Sequence, residues 1–247
     1  MINQPYYENK YVTLYHEDCL NIMKLMPDES VDLIVTDPPY HITPKGGNGT
    51  MGGHYNNSIT RKGNIFKEND ISCGEYLPEF YRILKNGTHC YIMINHVNLI
   101  EMLNTATKCG FKFIKSLIWN KCNKICGHYY MNSFEYILMF RKGKHRIIND
   151  CSTPDILTFP INKMKDAEGN NLHDTEKPVA LMKVLIENSS NKDETVFEPF
   201  AGIGATLVAG YELRRKVIGC ELDEKYCKVI PTRFNDENMN LEQRSLF

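Results

Sequence analysis

The sequence predicts a single α/β domain, spanning residues 1–247, built around a mostly parallel sheet of seven strands. Short apolar runs rich in β-branched residues alternate along the chain with segments of helical periodicity. Such alternation is typical of a parallel sheet that carries helices on both faces. The length of 247 residues suits one domain of this kind, and a hydrophobic fraction of 42% is sufficient for a substantial core.

The individual elements follow from these patterns in chain order. Strands are predicted at 11–15, 31–36, 89–94, 113–119, 135–140, 195–197 and 216–221. Helices are predicted near 19–26, 74–84, 97–109, 179–188, 205–214 and 223–234, with Pro178 in the first turn of its helix. No long helix separates the strands at 113–119 and 135–140. We therefore expect these two strands to form an antiparallel hairpin at one edge of the sheet.

Charge and cysteine content indicate the cellular setting rather than the function. The 29 Lys and Arg residues against 30 Asp and Glu residues give a net charge of −1, and a local basic patch would still be sufficient for nucleic-acid contact. There is no apolar run of membrane-spanning length, and the N-terminal residues lack the apolar core of a signal peptide. Nine cysteines without a disulfide-type spacing favour a reduced, cytoplasmic protein.

A metal site is not predicted. The closest set of ligand-type residues is Cys122, Cys126 and His128, in the sequence CNKICGH. A structural zinc ion would need a fourth ligand, and the sequence identifies none. We therefore expect these cysteines to be ordinary thiols.

The segment 141–175 interrupts the alternation of strands and helices. It is polar and turn-rich, and it opens with RKGKHR, four Lys or Arg residues and one His in six positions. Two interpretations remain open, a solvated surface loop and an insertion that contacts phosphates. The second interpretation makes this small insertion a candidate target-recognition region and selects four candidate nucleic-acid contacts: Arg141, Lys142, Lys144 and Arg146.

The first chemical motif is VDLIVTDPPY, in which a strand ends at an acidic residue, two prolines and an aromatic residue. Ligands of open α/β sheets bind beyond the carboxyl ends of the strands. Asp37 and the backbone carbonyl of Pro38 supply two hydrogen-bond acceptors, which Pro39 helps to fix because prolines stiffen the turn. Tyr40 offers a stacking surface. The set is suited to a planar base with an exocyclic amino group, although a simple Pro-Pro turn remains the alternative.

The second motif is a strand followed by PFAGIGAT and a helix. Gly202 and Gly204 allow a ligand to approach the backbone closely. Glu221 ends the following strand, where an acidic side chain can accept hydrogen bonds from ribose hydroxyls. Leu207 stands where a dinucleotide fingerprint has its third glycine. These features favour a nucleoside ligand without a pyrophosphate, such as S-adenosylmethionine.

A literal G-x-G-x-x-G also follows Tyr40, at Gly47, Gly49 and Gly52. The residues after it are polar and turn-rich, so no helix is predicted to open there. We expect a loop of small residues beside the binding edge rather than a second cofactor site.

DPPY, followed far downstream by EKP and PFAGIGAT, resembles the amino-group DNA methyltransferases, which methylate adenine N6 or cytosine N4 from S-adenosylmethionine. The catalytic tetrapeptide precedes the cofactor loop, as in the circularly permuted β group. The resemblance extends from about Tyr11 to Phe234. It implies a Rossmann-like methyltransferase fold, double-stranded DNA as substrate, and a bacterial or phage-encoded enzyme acting in the cytoplasm. It leaves open a homodimer, a restriction endonuclease partner and the recognition sequence.

The resemblance also implies roles for individual residues. Asp37 and the Pro38 carbonyl would hold the target amino group, and Tyr40 would stack on the flipped base. Cofactor contacts would come from Asp18, Cys19, Lys177, Glu198, Pro199, Phe200, Ala201, Gly202, Gly204, Glu221 and Leu222. Phe134 and Glu135 match a hairpin motif near the base pocket. The chain departs from the family pattern at Glu17, at Glu198 and at Ile203 to Ala205, and Asp18 could instead cap the helix that follows it.

The expected reaction is direct methyl transfer to a base flipped out of the duplex. His54 or Tyr55 is a candidate to fill the gap that flipping leaves. Adenine N6 is expected because Asp in the tetrapeptide is commoner among the adenine enzymes of this family, with cytosine N4 and RNA adenine as alternatives. A catalytically silent DNA-binding subunit would normally lose DPPY. A nicotinamide oxidoreductase would need a pyrophosphate fingerprint that neither glycine cluster supplies.

Overall fold

A computed structural model of the chain describes residues 4–39, 71–125, 130–165, 168–169 and 176–234. Strands and helices alternate through these residues. The strands are β1 Tyr7–Glu8, β2 Val12–His16, β3 Val31–Thr36, β4 Leu84–Ile94, β5 Lys112–Ile125, β6 Asn132–Arg141, β7 Ile156–Thr158, β8 Thr195–Glu198 and β9 Lys216–Glu221. The helices are α1 Cys19–Leu25, α2 Cys73–Ile83, α3 Leu99–Lys108, α4 Val179–Ser189, α5 Ala205–Glu212 and α6 Glu224–Val229, and α6 continues into a 3₁₀ turn at Ile230–Arg233.

The described strands form one sheet in the order β1-β2-β9-β8-β3-β4-β6-β5-β7. The central strands β2, β9, β8, β3 and β4 are mutually parallel, and β6 is antiparallel to both β4 and β5. All seven predicted strands are present, which confirms the predicted α/β class. The carboxyl ends of the parallel strands lie at one edge of the sheet, which we call the carboxyl edge.

Two details of the predicted sheet need correction. The described sheet has nine strands rather than seven, because β1 and β7 add to it. These strands have only two and three residues, too few to show a periodic pattern. The hairpin β5–β6 is also not at the edge, since β7 pairs with β5 in parallel, with Ile118 opposite Ile156.

The core lies on both faces of the sheet. One face packs against α1, α2 and α3 through residues such as Met23, Phe80 and Met102. The other face packs against α4 and α5 through residues such as Leu185 and Leu207. β3 is buried along its whole length because it lies between β8 and β4, which accounts for its mostly aliphatic sequence.

The segment predicted as an insertion is attached to this body in its described part. The backbone N–H of Lys142 donates to the Thr88 carbonyl over 3.1 Å. The Asn149 N–H donates to the carbonyl of Asn188, the next-to-last residue of α4, over 2.8 Å. Residues 166–167 and 170–175 of the segment lie outside the described ranges.

Candidate active site

The candidate site lies at the carboxyl edge, where β3, β8 and β9 end side by side. Asp37 follows β3 directly, Glu198 ends β8, and Glu221 ends β9. Because these strands are parallel neighbours, the DPPY segment and the glycine loop that the sequence separates by some 160 residues meet at one edge. This is the place at which open α/β sheets bind ligands.

The two carboxylate oxygens of Asp37 differ, because one has a hydrogen-bond partner and the other has none among the described residues. Its Oδ2 accepts a short hydrogen bond from the ammonium group of Lys177. Its Oδ1 is buried and has no hydrogen-bond partner among the described residues. Burial raises the pKa of the Asp37 carboxyl, Lys177 opposes this rise, and the neighbouring Glu135 carboxyl adds to it. A buried acceptor without a donor is costly, so the arrangement favours a ligand that brings an N–H group.

Two further charges complete a cluster around Asp37. Oε2 of Glu135 lies 3.7 Å from the Lys177 ammonium group, and Oε1 accepts a short hydrogen bond from Lys121. The Lys121 ammonium group also lies 5.0 Å from the centre of the Trp119 ring. Burial acts to raise the pKa of Glu135, but Lys177 and Lys121 outweigh it and hold that pKa below its usual value.

The glycine loop between β8 and α5 requires glycine at two positions. Gly202 and Gly204 have φ angles of 53° and 82°, in the left-handed region that favours glycine. A Cβ atom on Gly204 would lie 3.0 Å from Cγ1 of Ile230. The loop therefore needs both the backbone freedom and the small volume of glycine, and it presents its backbone toward the carboxyl edge.

Glu221 holds this loop from the end of β9. Its Oε2 accepts a 2.7 Å hydrogen bond from the Gly202 N–H, and its Oε1 accepts one of 2.8 Å from the Asp223 N–H. Burial raises the pKa of Glu221 to about 7 despite these two bonds. In this structure the carboxyl group thus fixes the shape of the loop that was predicted to bind the cofactor.

Glu198, a predicted cofactor contact, has internal partners instead. The residue is only 4% exposed. Its Oε1 accepts hydrogen bonds from Thr36 Oγ1 at 2.7 Å and from the Phe200 N–H at 3.1 Å, and its Oε2 accepts one from Thr206 Oγ1 at 2.7 Å. Burial raises the pKa of Glu198 to about 8. The carboxyl group ties β3 to the glycine loop, so its role is to position both.

Three other predicted cofactor contacts, Asp18, Cys19 and Lys177, have surroundings within the protein that the sequence did not predict. Asp18 is the N-cap of α1, where its Oδ1 accepts a 2.8 Å hydrogen bond from the Leu20 N–H, as the capping alternative predicted. Cys19 is buried, and burial raises the pKa of its thiol. Lys177 contacts Asp37 rather than lying only beside the glycine loop.

The remaining predicted contacts of the loop lie where they were expected in the chain. Pro199 and Ala201 are buried within the turn. Phe200 is half-buried, with its ring 5.5 Å from that of Tyr76 in an edge-to-face arrangement. Leu222 is exposed, and its carbonyl lies 3.0 Å from Nε2 of His16.

The basic run that opens the 141–175 segment lies far from this site. β6 runs antiparallel to β4, so it starts at the carboxyl edge and ends at the opposite edge with Arg141 beside His89. Arg141 and Lys142 are buried, and the Lys142 ammonium group donates to the Leu84 carbonyl over 2.7 Å. This placement does not fit the predicted role of Arg141, Lys142, Lys144 and Arg146 in nucleic-acid contact.

Most of the remaining predicted residues lie outside the described part of the chain, and Phe134 lies within it. Tyr40, His54 and Tyr55 lie outside the described residues. Phe134 is partly exposed, and its ring is 5.1 Å from that of Tyr136. Cys126 and His128 also lie outside the described residues, and the described part of the chain contains no cluster of His, Cys, Asp and Glu that could hold a metal ion. No helix in that part is long and apolar enough to cross a membrane.

This sheet, with the tetrapeptide after β3 and the glycine loop after β8, defines the class of Rossmann-like S-adenosylmethionine-dependent methyltransferases. A family model described as DNA methylase, N6_N4_Mtase, matches residues 31–231. The chain therefore belongs to this family of amino-group DNA methyltransferases.

Three bacterial type II methyltransferases resemble most of the chain. The type II methyltransferase M2.DpnII of Streptococcus pneumoniae is 28% identical over 261 residues, which cover 96% of this chain and 95% of that protein. M2.MboI of Moraxella bovis is 26% identical, with coverage of 94% and 92%. M.HinfI of Haemophilus influenzae is 28% identical, with coverage of 92% of this chain and 69% of that protein.

Solved structures show the same fold. The PvuII DNA methyltransferase, described as cytosine-N4-specific, superposes with a TM-score of 0.74 at 16% identity, covering 98% of this chain and 92% of that one. M1.HpyAVI, solved as a complex with S-adenosylmethionine, gives a TM-score of 0.66 at 22% identity, covering 90% of this chain and all of that one.

Proposed function

We propose that this protein transfers a methyl group from S-adenosylmethionine to adenine N6 within a short sequence of double-stranded DNA. The observation that carries the proposal is the buried Oδ1 of Asp37, an acceptor without a donor at the carboxyl edge. A base amino group has two N–H donors, and Asp37 Oδ1 and the Pro38 carbonyl are acceptors placed next to each other in the chain. The membership of the chain in the DNA methylase family supports methyl transfer to an amino group of a DNA base.

The residues beside Asp37 fit the cofactor. Gly202 and Gly204 present backbone without side chains, and Glu221 provides a carboxylate at the end of the neighbouring strand. The chain places a buried leucine, Leu207, where a dinucleotide fold would need a third glycine, so a nucleoside without a pyrophosphate fits better. Bound S-adenosylmethionine would supply an electrophilic methyl group on its sulfonium.

The chain's own residues would activate the acceptor. The lone pair of a base amino nitrogen is delocalised into the ring, which makes it a poor nucleophile. Hydrogen bonds to Asp37 and to the Pro38 carbonyl favour a pyramidal nitrogen with its lone pair directed at the methyl group. Positive charge develops on the nitrogen during attack, and a fixed carboxylate next to it stabilises that charge. The base must leave the duplex to reach this pocket, and Tyr40 is the proposed stacking residue.

Adenine N6 remains the proposed target because the tetrapeptide begins with Asp. The second candidate is cytosine N4, which the likeness to the cytosine-N4-specific PvuII enzyme favours. The pocket chemistry suits either amino group, so sequencing of modified DNA has to distinguish them. Double-stranded DNA is the proposed substrate, and a homodimer, a restriction endonuclease partner and a cytoplasmic location stay predictions.

The residues that recognise the DNA sequence must lie at the carboxyl edge, where the flipped base is proposed to bind. β7 runs parallel to β5, with Thr158 opposite Asn120, so the 141–175 segment reaches this edge only after β7. The Met164 N–H, further along, donates a 2.7 Å hydrogen bond to Glu176, next to Lys177. We therefore assign the proposed recognition role to the part of the segment that follows β7, together with the polar, glycine-rich sequence 41–65 that follows DPPY, and not to the basic run at 141–146.

The test is to express the protein in a host that lacks DNA methylation and to sequence the host DNA for modified bases. We expect N6-methyladenine in one short motif for the wild type. Asp37→Ala should abolish the modification and leave S-adenosylmethionine affinity, measured by calorimetry, nearly unchanged. N4-methylcytosine would move the assignment to the second candidate. Full activity of Asp37→Ala would refute the mechanism.

A further inference from the structure

Lys177 lies in the EKP motif, which the sequence assigned to the cofactor, yet the structure places its ammonium group on the catalytic carboxylate. It donates to Oδ2 of Asp37 and lies 3.7 Å from Oε2 of Glu135. The Lys177 side chain is 6% exposed, against 17% for Glu135 and 12% for Lys121. Four charged groups from three parts of the chain, Lys177 buried and the other three half-buried, thus lie together at the point where the substrate amino group is proposed to bind.

The cluster makes the two oxygens of Asp37 unequal. A free carboxylate can rotate and exchange its oxygens, whereas a carboxylate bonded to a fixed ammonium group through one oxygen cannot do so at low cost. With Oδ2 bonded to Lys177, Oδ1 is the oxygen without a partner among the described residues and so the one that favours a donor from a ligand. The Lys177 ammonium group also lies at ion-pair distance, 3.7 Å, from Oε2 of Glu135, whose Oε1 accepts a hydrogen bond from Lys121.

We propose that Lys177 is a positioning residue for Asp37: it holds Oδ2, so that Oδ1 faces the base amino group, and Glu135 keeps Lys177 in place. This inference rests on the proposed function and deepens it. It assigns Lys177 to the methyl-acceptor side of the site rather than to cofactor affinity.

The cluster also controls the charge of Asp37. The charged groups that face it are Lys177, Glu135, Lys121 and, across the end of β8, Glu198. Lys177 and Lys121 favour ionised Asp37, and the carboxyl group of Glu135 disfavours it. Loss of Lys177 would therefore favour protonated Asp37, which has one fewer acceptor site for an amino group. Loss of the Glu135 charge would have the opposite effect.

The two effects give variants with opposite signatures. Lys177→Met removes the cation, so we expect the acidic limb of the kcat/KM profile for methyl transfer to move up by about one to three pH units. We also expect kcat at the optimum to fall roughly a hundredfold, since Asp37 is no longer held in place. Glu135→Gln removes the opposing carboxylate, so the acidic limb should move to lower pH, with a smaller loss of kcat. Lys177→Arg keeps the cation and should restore part of the rate.

The control is Lys183→Met. Lys183 lies on the same helix, α4, and pairs with Glu212, but on the surface and away from Asp37. It should match the wild type in rate and pH profile. All variants are also compared in thermal unfolding and in S-adenosylmethionine affinity by calorimetry, and the carboxyl ¹³C signal of Asp37 is titrated in the wild type and in Lys177→Met. The NMR titration reports on the pairing without any turnover.

The outcomes separate this inference from the function on which it rests. Opposite shifts of the acidic limb in Lys177→Met and Glu135→Gln, with unchanged cofactor affinity, support a positioning role. A Lys177→Met variant that loses cofactor affinity but keeps the wild-type kcat and pH profile would overturn the inference and restore the cofactor role. A Lys177→Met variant in which the melting temperature and kcat both fall while the pH profile stays unchanged would also overturn the inference, since this result indicates a structural role alone. A wild type that methylates no base would refute the proposed function itself.

Discussion

Replacing Glu198 with Gln tests whether a buried carboxyl group makes the stability of this fold depend on pH. Burial raises the pKa of Glu198 from the ordinary 4.5 to about 8 in the folded protein. The folded state therefore binds this proton more tightly than the unfolded state does. The contribution of the group to stability is complete below about pH 4.5 and is lost as the pH rises toward about 8.

The magnitude follows from the size of the rise. One pKa unit corresponds to about 1.4 kcal/mol, so the pH-dependent contribution amounts to at most about 5 kcal/mol. For a chain of this size that is a melting-temperature difference of roughly 10 °C. Gln is nearly isosteric with protonated Glu and can keep the hydrogen bonds with Thr36, Thr206 and the Phe200 N–H. We expect Glu198→Gln to match the wild type near pH 4.5, to exceed it increasingly up to about pH 8, and to keep a constant advantage from there to pH 9.

The assay is differential scanning calorimetry of the two proteins across this pH range. The difference between the two curves isolates Glu198, because other groups such as His89 contribute equally to both proteins. Burial lowers the pKa of His89 to about 4, so that residue reduces stability only as the pH falls below its ordinary value of 6.5. Glu224→Gln, at an exposed position on α6 paired with Lys228, is the control and should follow the wild type. Parallel curves for Glu198→Gln and the wild type would refute the reasoning.

Two further substitutions test the placement of the glycine loop and of the basic run. Gly204 and Gly87 have nearly equal φ angles of 82° and 86°, but a Cβ atom meets Ile230 at 3.0 Å only in the first case. Gly87→Ala should cost about 1–2 kcal/mol of unfolding free energy, measured by urea denaturation, and Gly204→Ala should cost more because its Cβ also meets Ile230. Only Gly204→Ala should also weaken S-adenosylmethionine binding; equal affinities would contradict the proposed cofactor loop. Lys144→Ala should leave DNA affinity and its salt dependence unchanged, because Lys144 follows β6 at the edge opposite Asp37; a fall in the salt slope by about one would indicate a phosphate contact.

The fold could be predicted from the sequence because its signals are local. β3 has four aliphatic residues among its six and is buried throughout, and the glycine loop is bounded by β8 and α5. β7 was missed because its three residues carry no period and form a strand only by pairing with Ile118 to Asn120 of β5. The tertiary partner, and not the local sequence, makes this segment a strand.

The site was predicted less completely, because a motif identifies a residue but not the atoms it contacts. Lys177 was assigned to the cofactor from its place before α4, and its bond to Asp37, 140 positions away, has no signal along the chain. Lys121 was not selected at all, since it is one of several lysines along β5. The basic run at 141–146 is the reverse case, a predicted contact that the structure does not support. Its charge pattern suggested phosphate contacts, whereas the antiparallel direction of β6 places it at the wrong edge.

The hydrogen bonds of the poorly exposed polar groups account for how two ligand pockets can keep one geometry. In-line methyl transfer needs the acceptor nitrogen and the methyl donor aligned, and a displacement of about 1 Å can cost a hundredfold in rate. Glu198 bonds Thr36, the residue before Asp37, and also the Phe200 N–H in the glycine loop. Lys177 joins Asp37 to α4 and to the β5–β6 hairpin. Hydrophobic burial is non-directional, whereas hydrogen bonds between polar groups depend on the angle between donor and acceptor. The hydrogen bonds of Glu198 and of the Asp37–Lys177 pair therefore fix the proposed base pocket relative to the proposed cofactor loop more tightly than the surrounding core can.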